Sequence, residues 1–187
     1  QLIQVAAPDV RRIDRLVSEI SEASRIDAEL SRATFEPVDL AKLVANVLDR
    51  RKTRGENGTC RVELSRERGA AMVAGVPLRL ERLIENLLDN AVSFSPEKGT
   101  IAVRVDRHDE IVEMSVSDQG PGIPAEAREK VFTRFHSLRP EAEDFGDHSG
   151  LGLAIGRTIA EAHDGTLVVR DPEKGTGACL VLTLPAA

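Results

Sequence analysis

Apolar positions along the chain recur with two periods, one helical and one extended, and the switches between them outline the elements. From Asp9 to Leu30, the residues Ile13, Leu16, Ile20, Ala23, Ile26 and Leu30 fall at steps of three and four and predict one amphipathic helix. Its other faces carry Arg11, Arg12, Arg15, Glu19, Glu22 and Arg25, so it needs a partner helix, in a bundle or in a second chain. Pro37 closes that segment, because the residue before a proline is pushed out of the α region. A second helix is expected after Asp39, a candidate N-cap, with Leu40, Leu43, Val44, Val47 and Leu48 facing inward. RKTRGENGT, residues 51–59, reads as a polar loop; Cys60 to Ser65 alternates like a strand, and Ala70 to Ala74 offers another. Pro77 suits the start of a helix over 78–92. TIAVRVD and IVEMSVSD, joined by RHDE, predict a β-hairpin.

From Gln119 to Ser149 the periodicity lapses, apart from a short helical patch, AREKVFTRF. A loop of that length inside a compact domain is either functional or disordered. LGLAIGRTIAEAH is helical in pattern, with Gly165 as its C′ residue, and TLVVR and ACLVLTL form a last hairpin around DPEKGTG. Runs of strands beside runs of helices predict an α+β fold, a two-layer α/β sandwich with helices on one face of a mixed sheet, preceded by one long helix.

Composition narrows the functional classes. The 187 residues, 41% hydrophobic and 30% charged, suffice for one good-sized domain or a domain with an appendage. A net charge of -6 and the absence of Tyr and Trp argue against a nucleic-acid binder. No apolar run approaches the ~20 residues that span a bilayer, so the chain is expected to be soluble. Cys60 and Cys179 stand far apart in no CxxC spacing, which leaves them as small buried hydrophobes and excludes a thiolate zinc site.

Three stretches carry chemistry. On the helix over 78–92, Asn86, Asn90 and Ser93 fall together on the flank of the core face, at i, i+4 and i+7. They are either solvated surface amides or oxygen ligands for a hard cation such as magnesium, which takes few protein oxygens beside substrate phosphates and water. Asp118 closes a strand and is followed by Gly120 and Gly122. This is either a plain turn or a carboxylate that accepts a hydrogen bond from an exocyclic amine such as adenine's. Guanine presents an acceptor at that place, so the same carboxylate would select ATP over GTP. Ser149-Gly150-Leu151-Gly152-Leu153 opens a helix, where free N–H groups and the positive end of the dipole suit a triphosphate; the plainer alternative is a loop-to-helix junction. Gly150, Gly152 and Gly156 do not fit GxGxxG, no GxxxxGK[ST] loop occurs, and Asp144-Phe145-Gly146 lacks the other protein-kinase motifs.

In this order and spacing the three stretches resemble the ATP-binding catalytic domain of sensor histidine kinases, in the gyrase, Hsp90, histidine kinase and MutL superfamily with its Bergerat fold. ENLLDNAVSFSP resembles the N box, DQGPGIP the first glycine box, VFTRFHS the phenylalanine box, SGLGLAI the second glycine box and GTGACL the final strand motif. The likeness covers residues 37–187, with an ATP lid over about 123–149. The stretch DVRRIDRLVSEISEASRIDAEL resembles the second helix of the dimerisation and phosphotransfer hairpin, so residues 1–36 are expected to be a remnant of that hairpin. The wording is closest to the ChvG/BvrS-type kinases of alphaproteobacteria.

The resemblance implies roles residue by residue. Asn90 would bind Mg²⁺, and Asn86 would sit one turn before it near the γ-phosphate, the two forming the catalytic pair. Asp118 would hold the adenine amine, with Gly120, Gly122 and Ile123 bordering the pocket. Gly150, Leu151, Gly152 and Leu153 would wrap the phosphates, Phe132 and Phe135 would anchor the lid, and Arg134 and Thr176 would add contacts to the nucleotide. ATPases of the superfamily carry a water-activating glutamate where Asn86 stands; an amide cannot act as a general base, which suits an enzyme that keeps ATP for transfer. Glu85 lies about 100° round the helix and is not expected to substitute. Ser93 replaces a lysine common in the family, which removes one cationic contact to phosphate.

The family's phosphoacceptor motif, H-E/D-x-[KRN]-x-P, does not occur. His108 and His163 are expected to be solvated surface groups, and His136 and His148 to flank the nucleotide loop. The chain therefore reads as half of the hairpin plus the catalytic domain, binding ATP and Mg²⁺ without phosphorylating itself. Its partners would be a phosphoacceptor histidine helix, of its own or a second subunit, and a response regulator. The parent would be a membrane-bound homodimer with this portion in the cytoplasm. Two other functions compete: a clamp-type hydrolase of the same superfamily, disfavoured by Asn86, and a non-enzymatic module that binds nucleotide as a ligand.

Overall fold

The computed structural model describes residues 33–66, 69–136, 150–173 and 175–187. The helix expected over 9–30 and lid residues 137–149, with His148 and Ser149, lie outside the described residues.

The described chain opens on a strand that its pattern does not announce. β1 (Glu36–Asp39) pairs antiparallel with β3 (Met72–Gly75) in a two-stranded sheet. Four residues are too few to show alternation, and Pro37 is tolerated because β1 is an edge strand. α1 (Leu40–Arg54) starts where Asp39 accepts the Lys42 N–H at 3.3 Å and stops at Gly55, which takes a left-handed φ of 70°. It is longer than expected: the first residues of RKTRGENGT continue the helix, since Arg and Lys are good helix formers and the glycine is the stop.

α2 (Pro77–Phe94) buries Leu80, Leu83, Ile84, Leu87, Leu88 and Ala91 as its period predicts. The main sheet adds β2 (Arg61–Arg66), β4 (Thr100–His108), β5 (Ile111–Ser117), β6 (Thr166–Arg170) and β7 (Cys179–Pro185), in the order β2-β4-β5-β7-β6. The β2–β4 pair is parallel and the rest are antiparallel, so the sheet is mixed, as expected. Val103, Val105, Val112, Met114, Val116, Leu182 and Leu184 point to the helices and are buried. The opposite face carries surface pairs such as Arg170–Glu113 at 2.9 Å beside the buried Val181 and Cys179. Cys179 is buried and Cys60 half-buried, in keeping with the reading of both as small hydrophobes.

Three local expectations need correcting. AREKVFTRF is not a continuous helix; it forms two 3₁₀ turns, Ala125–Ala127 and Lys130–Phe132, and Phe135 takes a positive φ of 63° that no helix accepts. Gly165 is not the left-handed cap of α3 (Gly152–Ala162); Asp164 takes that conformation at φ 55°. Gly165 is needed for closeness, because a Cβ there would collide with the Thr183 carbonyl of β7. His163 is not solvated but 3% exposed. Its Nδ1–H donates to the Ile159 carbonyl at 2.7 Å, its Nε2 accepts the Val76 N–H at 3.0 Å, and its ring lies 4.9 Å from that of Phe35. Burial pushes its pKa down, so the neutral ring serves as a bracket between the end of α3 and the start of α2. His108 is exposed, as expected.

Candidate ATP-binding site

The site is assembled along α2. Asn86 is 7% exposed, and its Nδ2–H donates to the Gly152 carbonyl at 3.0 Å. A buried amide is costly without partners, so the surface-amide alternative fails at this residue. The bond clasps the middle of α2 to the first residue of α3. At that helix start Leu151, the N-cap, makes no side-chain cap bond, and no acid lies in the first turn. The positive end of its dipole therefore suits an anion. Gly150 takes a φ of 70°, and its carbonyl accepts the Phe135 N–H at 3.1 Å, which ties the interior of the expected lid to the residue that follows it. Leu151 is buried, and Leu153 is half-buried against the core.

Asn90 stands one turn beyond Asn86 and is half-exposed. Phe94 stands one turn further, and the carbonyl of Phe94 lies 2.6 Å from where a Cβ on Gly120 would sit. Asn90 thus lies between Asn86 at the start of α3 and Phe94 at the glycine turn after β5, about 6 Å along the axis from each.

Asp118 is 5% exposed at the end of β5. Its Oδ1 accepts the N–H of Gly120 at 2.8 Å and of Ala178 at 3.1 Å, which leaves Oδ2 for a further donor. Burial pushes its pKa up, and the two backbone donors oppose the rise. Gly177 is obligatory beside it, since a Cβ there would fall on the Asp118 carbonyl; Gly122, at φ 80°, approaches the Gly177 carbonyl. Ile123 is half-buried against the core.

The other expected residues lie around this frame. Phe132 is buried, with the Arg157 guanidinium 4.3 Å from its ring centre, and Arg157 pairs with Glu129 at 2.8 Å. Phe135 is 60% exposed, so it does not anchor into the core as Phe132 does. Arg134 and Thr176 are exposed on the flanking loops, Thr176 one residue from Gly177.

The donor set fits a magnesium ion that arrives with ATP. Among the described residues there is no cluster of three His, Cys, Asp or Glu that could hold a metal alone. One carboxamide oxygen, phosphate oxygens and water form a sufficient set for this cation. The two neighbouring acids are turned elsewhere. Arg51 of α1, 2% exposed, takes Glu85 at 2.5 Å and Asp89 at 2.8 Å. Glu85 therefore faces α1, away from Gly152, as its place on the helix predicts. Sequence reasoning missed Arg51, which it assigned to a loop; the spacing Glu81, Glu85, Asp89 on one stripe was the available signal.

A mixed five-stranded sheet under helices, with an amide-bearing helix clasped to the start of another, defines an α+β sandwich module. The chain belongs to the histidine kinase-, DNA gyrase B- and HSP90-like ATPase family, whose model matches residues 75–187. Within it, the chain is of the sensor histidine kinase catalytic-domain type. It is 45% identical to the sensor protein ChvG of Rhizobium meliloti over all of this chain and 34% of that protein. It superposes on the mycobacterial sensor histidine kinase MprB with a TM-score of 0.68 at 34% identity, covering 81% of this chain and 97% of that one. Full-length ShkA in complex with AMPPNP gives a TM-score of 0.78 at 27% identity, covering 94% of this chain and 36% of that one. The chain spans about a third of the length of the curated relatives it matches. ATP binding follows from the family. Among the described residues, no helix is long and apolar enough to cross a membrane.

Proposed function

We propose that the chain binds Mg·ATP between α2 and α3 and transfers the γ-phosphoryl group to a histidine on a separate helix, for relay to a response-regulator aspartate. The observation that carries this reading is the Asn86–Gly152 clasp, which sets one amide of α2 against the start of α3, where no side chain caps the helix. Asn90 holds the magnesium ion, which draws charge from the phosphates when bound. The amides of Gly152 and Leu153 face the phosphates, and Asp118 Oδ2 accepts the adenine amine. The imidazole nitrogen bonds to the γ-phosphorus as the bond to the bridging oxygen breaks and ADP leaves with the electron pair. Positioning and charge stabilisation supply most of the rate.

Hydrolysis is disfavoured on two counts: Asn86 has no basicity, and Arg51 holds Glu85 on the wrong side of the helix. None of the chain's histidines serves as acceptor, so it binds ATP without labelling itself. The parent is a membrane-bound homodimer with this domain in the cytoplasm; the ShkA complex with AMPPNP supports the nucleotide assignment. The test is to mix the chain with a separately produced helical hairpin bearing the acceptor histidine and γ-labelled ATP. Label on the hairpin supports transfer. Nucleotide binding without label leaves the chain a binding module, and steady phosphate release without label makes it a hydrolase.

A further inference from the structure

The charged side chain buried most deeply among the described residues belongs to neither core nor expected site. Arg51, in the last turn of α1, is 2% exposed. Its Nη1 donates to Glu85 and Asp89, its Nε to Asn57 Oδ1 at 3.1 Å, and its Nη2 to the Glu56 carbonyl at 3.2 Å. Arg50, next to it, grips Glu81 with both terminal nitrogens but at a more exposed place. Glu81, Glu85 and Asp89 follow one another at i, i+4 and i+8 on α2, facing α1. Glu85 and Asp89 each directly precede an amide of the proposed metal and phosphate site, Asn86 and Asn90.

Such a cluster contributes little net stability, because desolvation of the charges offsets their attraction. What it supplies is a fixed rotation of α2. A side chain sits about 6 Å from the helix axis, so a turn of only ~10° moves its tip by about 1 Å. Displacement on that scale is costly for a group that must meet a metal and a phosphate. α2 is gripped on one side by Arg51 and on the other by Asn86 at Gly152. The same grip keeps two carboxylates, stronger ligands than an amide for a hard cation, turned from the place where Asn90 would take magnesium.

We propose that Arg51 is a positioning residue of the metal–phosphate site, acting through Glu85 and Asp89 to hold Asn86 and Asn90 in register with the start of α3. The proposal rests on the ATP reading above. The test is calorimetric titration of the full chain with AMPPNP, with magnesium and with EDTA, for the wild type, Arg51→Met, Arg51→Lys and Arg50→Met. The quantity read is the tightening that magnesium causes. Arg51→Met is expected to cut it at least tenfold while changing the magnesium-free Kd less than threefold. Arg51→Lys recovers part of it, and Arg50→Met keeps the wild-type value. Should Arg51→Met fail to fold by circular dichroism, the triple variant Arg51→Met, Glu85→Gln, Asp89→Asn removes the whole charge cluster and is expected to show the same fall. A magnesium effect within threefold of wild type in the folded variant, or an equal loss in Arg50→Met, overturns the proposal alone. A wild-type chain that binds no Mg·AMPPNP overturns the ATP reading, and the proposal with it.

Discussion

Replacing Asp118 by asparagine separates the binding role of this residue from its structural one. The two side chains have the same shape, and asparagine's Oδ1 can still accept the N–H groups of Gly120 and Ala178. At the other position an acceptor becomes an NH₂ donor, which would face the amine of adenine. Leaving one buried donor without an acceptor costs about 1–3 kcal/mol, which is about 5- to 150-fold in Kd. Stability should move the other way. Burial holds the Asp118 pKa above its ordinary 3.8, so ionising it costs free energy in the folded chain that it does not cost in the unfolded one. Between 3.8 and the raised value the folded chain binds more protons, and stability falls as pH rises through that window. The neutral asparagine escapes this cost at pH 7. Calorimetry with AMPPNP and a thermal melt of the ligand-free protein check both halves. The reasoning fails if the variant binds the nucleotide as tightly as wild type, or if it melts lower than wild type without ligand.

Two further outcomes follow from the same geometry. Asn90→Ala should weaken Mg·ATP roughly tenfold or more, the loss of a charge-assisted contact of about 1.5–3 kcal/mol, yet leave magnesium-free binding near its wild-type value; equal losses in both conditions would remove Asn90 from the metal. His163, whose pKa burial holds below 6.5, should make the protein less stable in acid. Below pH 6.5 the unfolded chain takes up a proton that the folded one resists, so stability is fully present above that pH and is lost as pH falls towards the folded value. The melting temperature should drop between pH 7.5 and pH 5, by less in His163→Gln; identical slopes in the two proteins would show that His163 is not responsible.

Much of the architecture was legible because burial imposes a period on the residues. The apolar face of α2 and the runs that form β4, β5 and β7 were legible in the sequence, and helical spacing set Asn86 and Asn90 one turn apart. Asp118, Gly120 and Gly122 read equally well as a plain turn by themselves; their order and spacing with the asparagine helix and with Ser149–Leu153 pointed to a nucleotide. Short elements escaped: β1 has four residues, and the 3₁₀ turns at Ala125–Ala127 and Lys130–Phe132 are shorter than one helical period. His163 and Arg51 escaped for another reason. Polar residues at the ends of helices look like solvent-facing groups unless their partners are known, and those partners lie 87 and 34 residues away, at Val76 and Glu85.

The sequence by itself determined which faces are buried, where helices start, and which residue types could meet a nucleotide and a hard cation, because these depend on neighbours three or four positions apart. Only the tertiary structure decided that Asn86 clasps Gly152, that Gly177 clears the Asp118 backbone, and that Arg51 turns Glu85 and Asp89 aside. Such pairings arise when the chain closes on itself, and their cost or benefit is set by burial that no local pattern records.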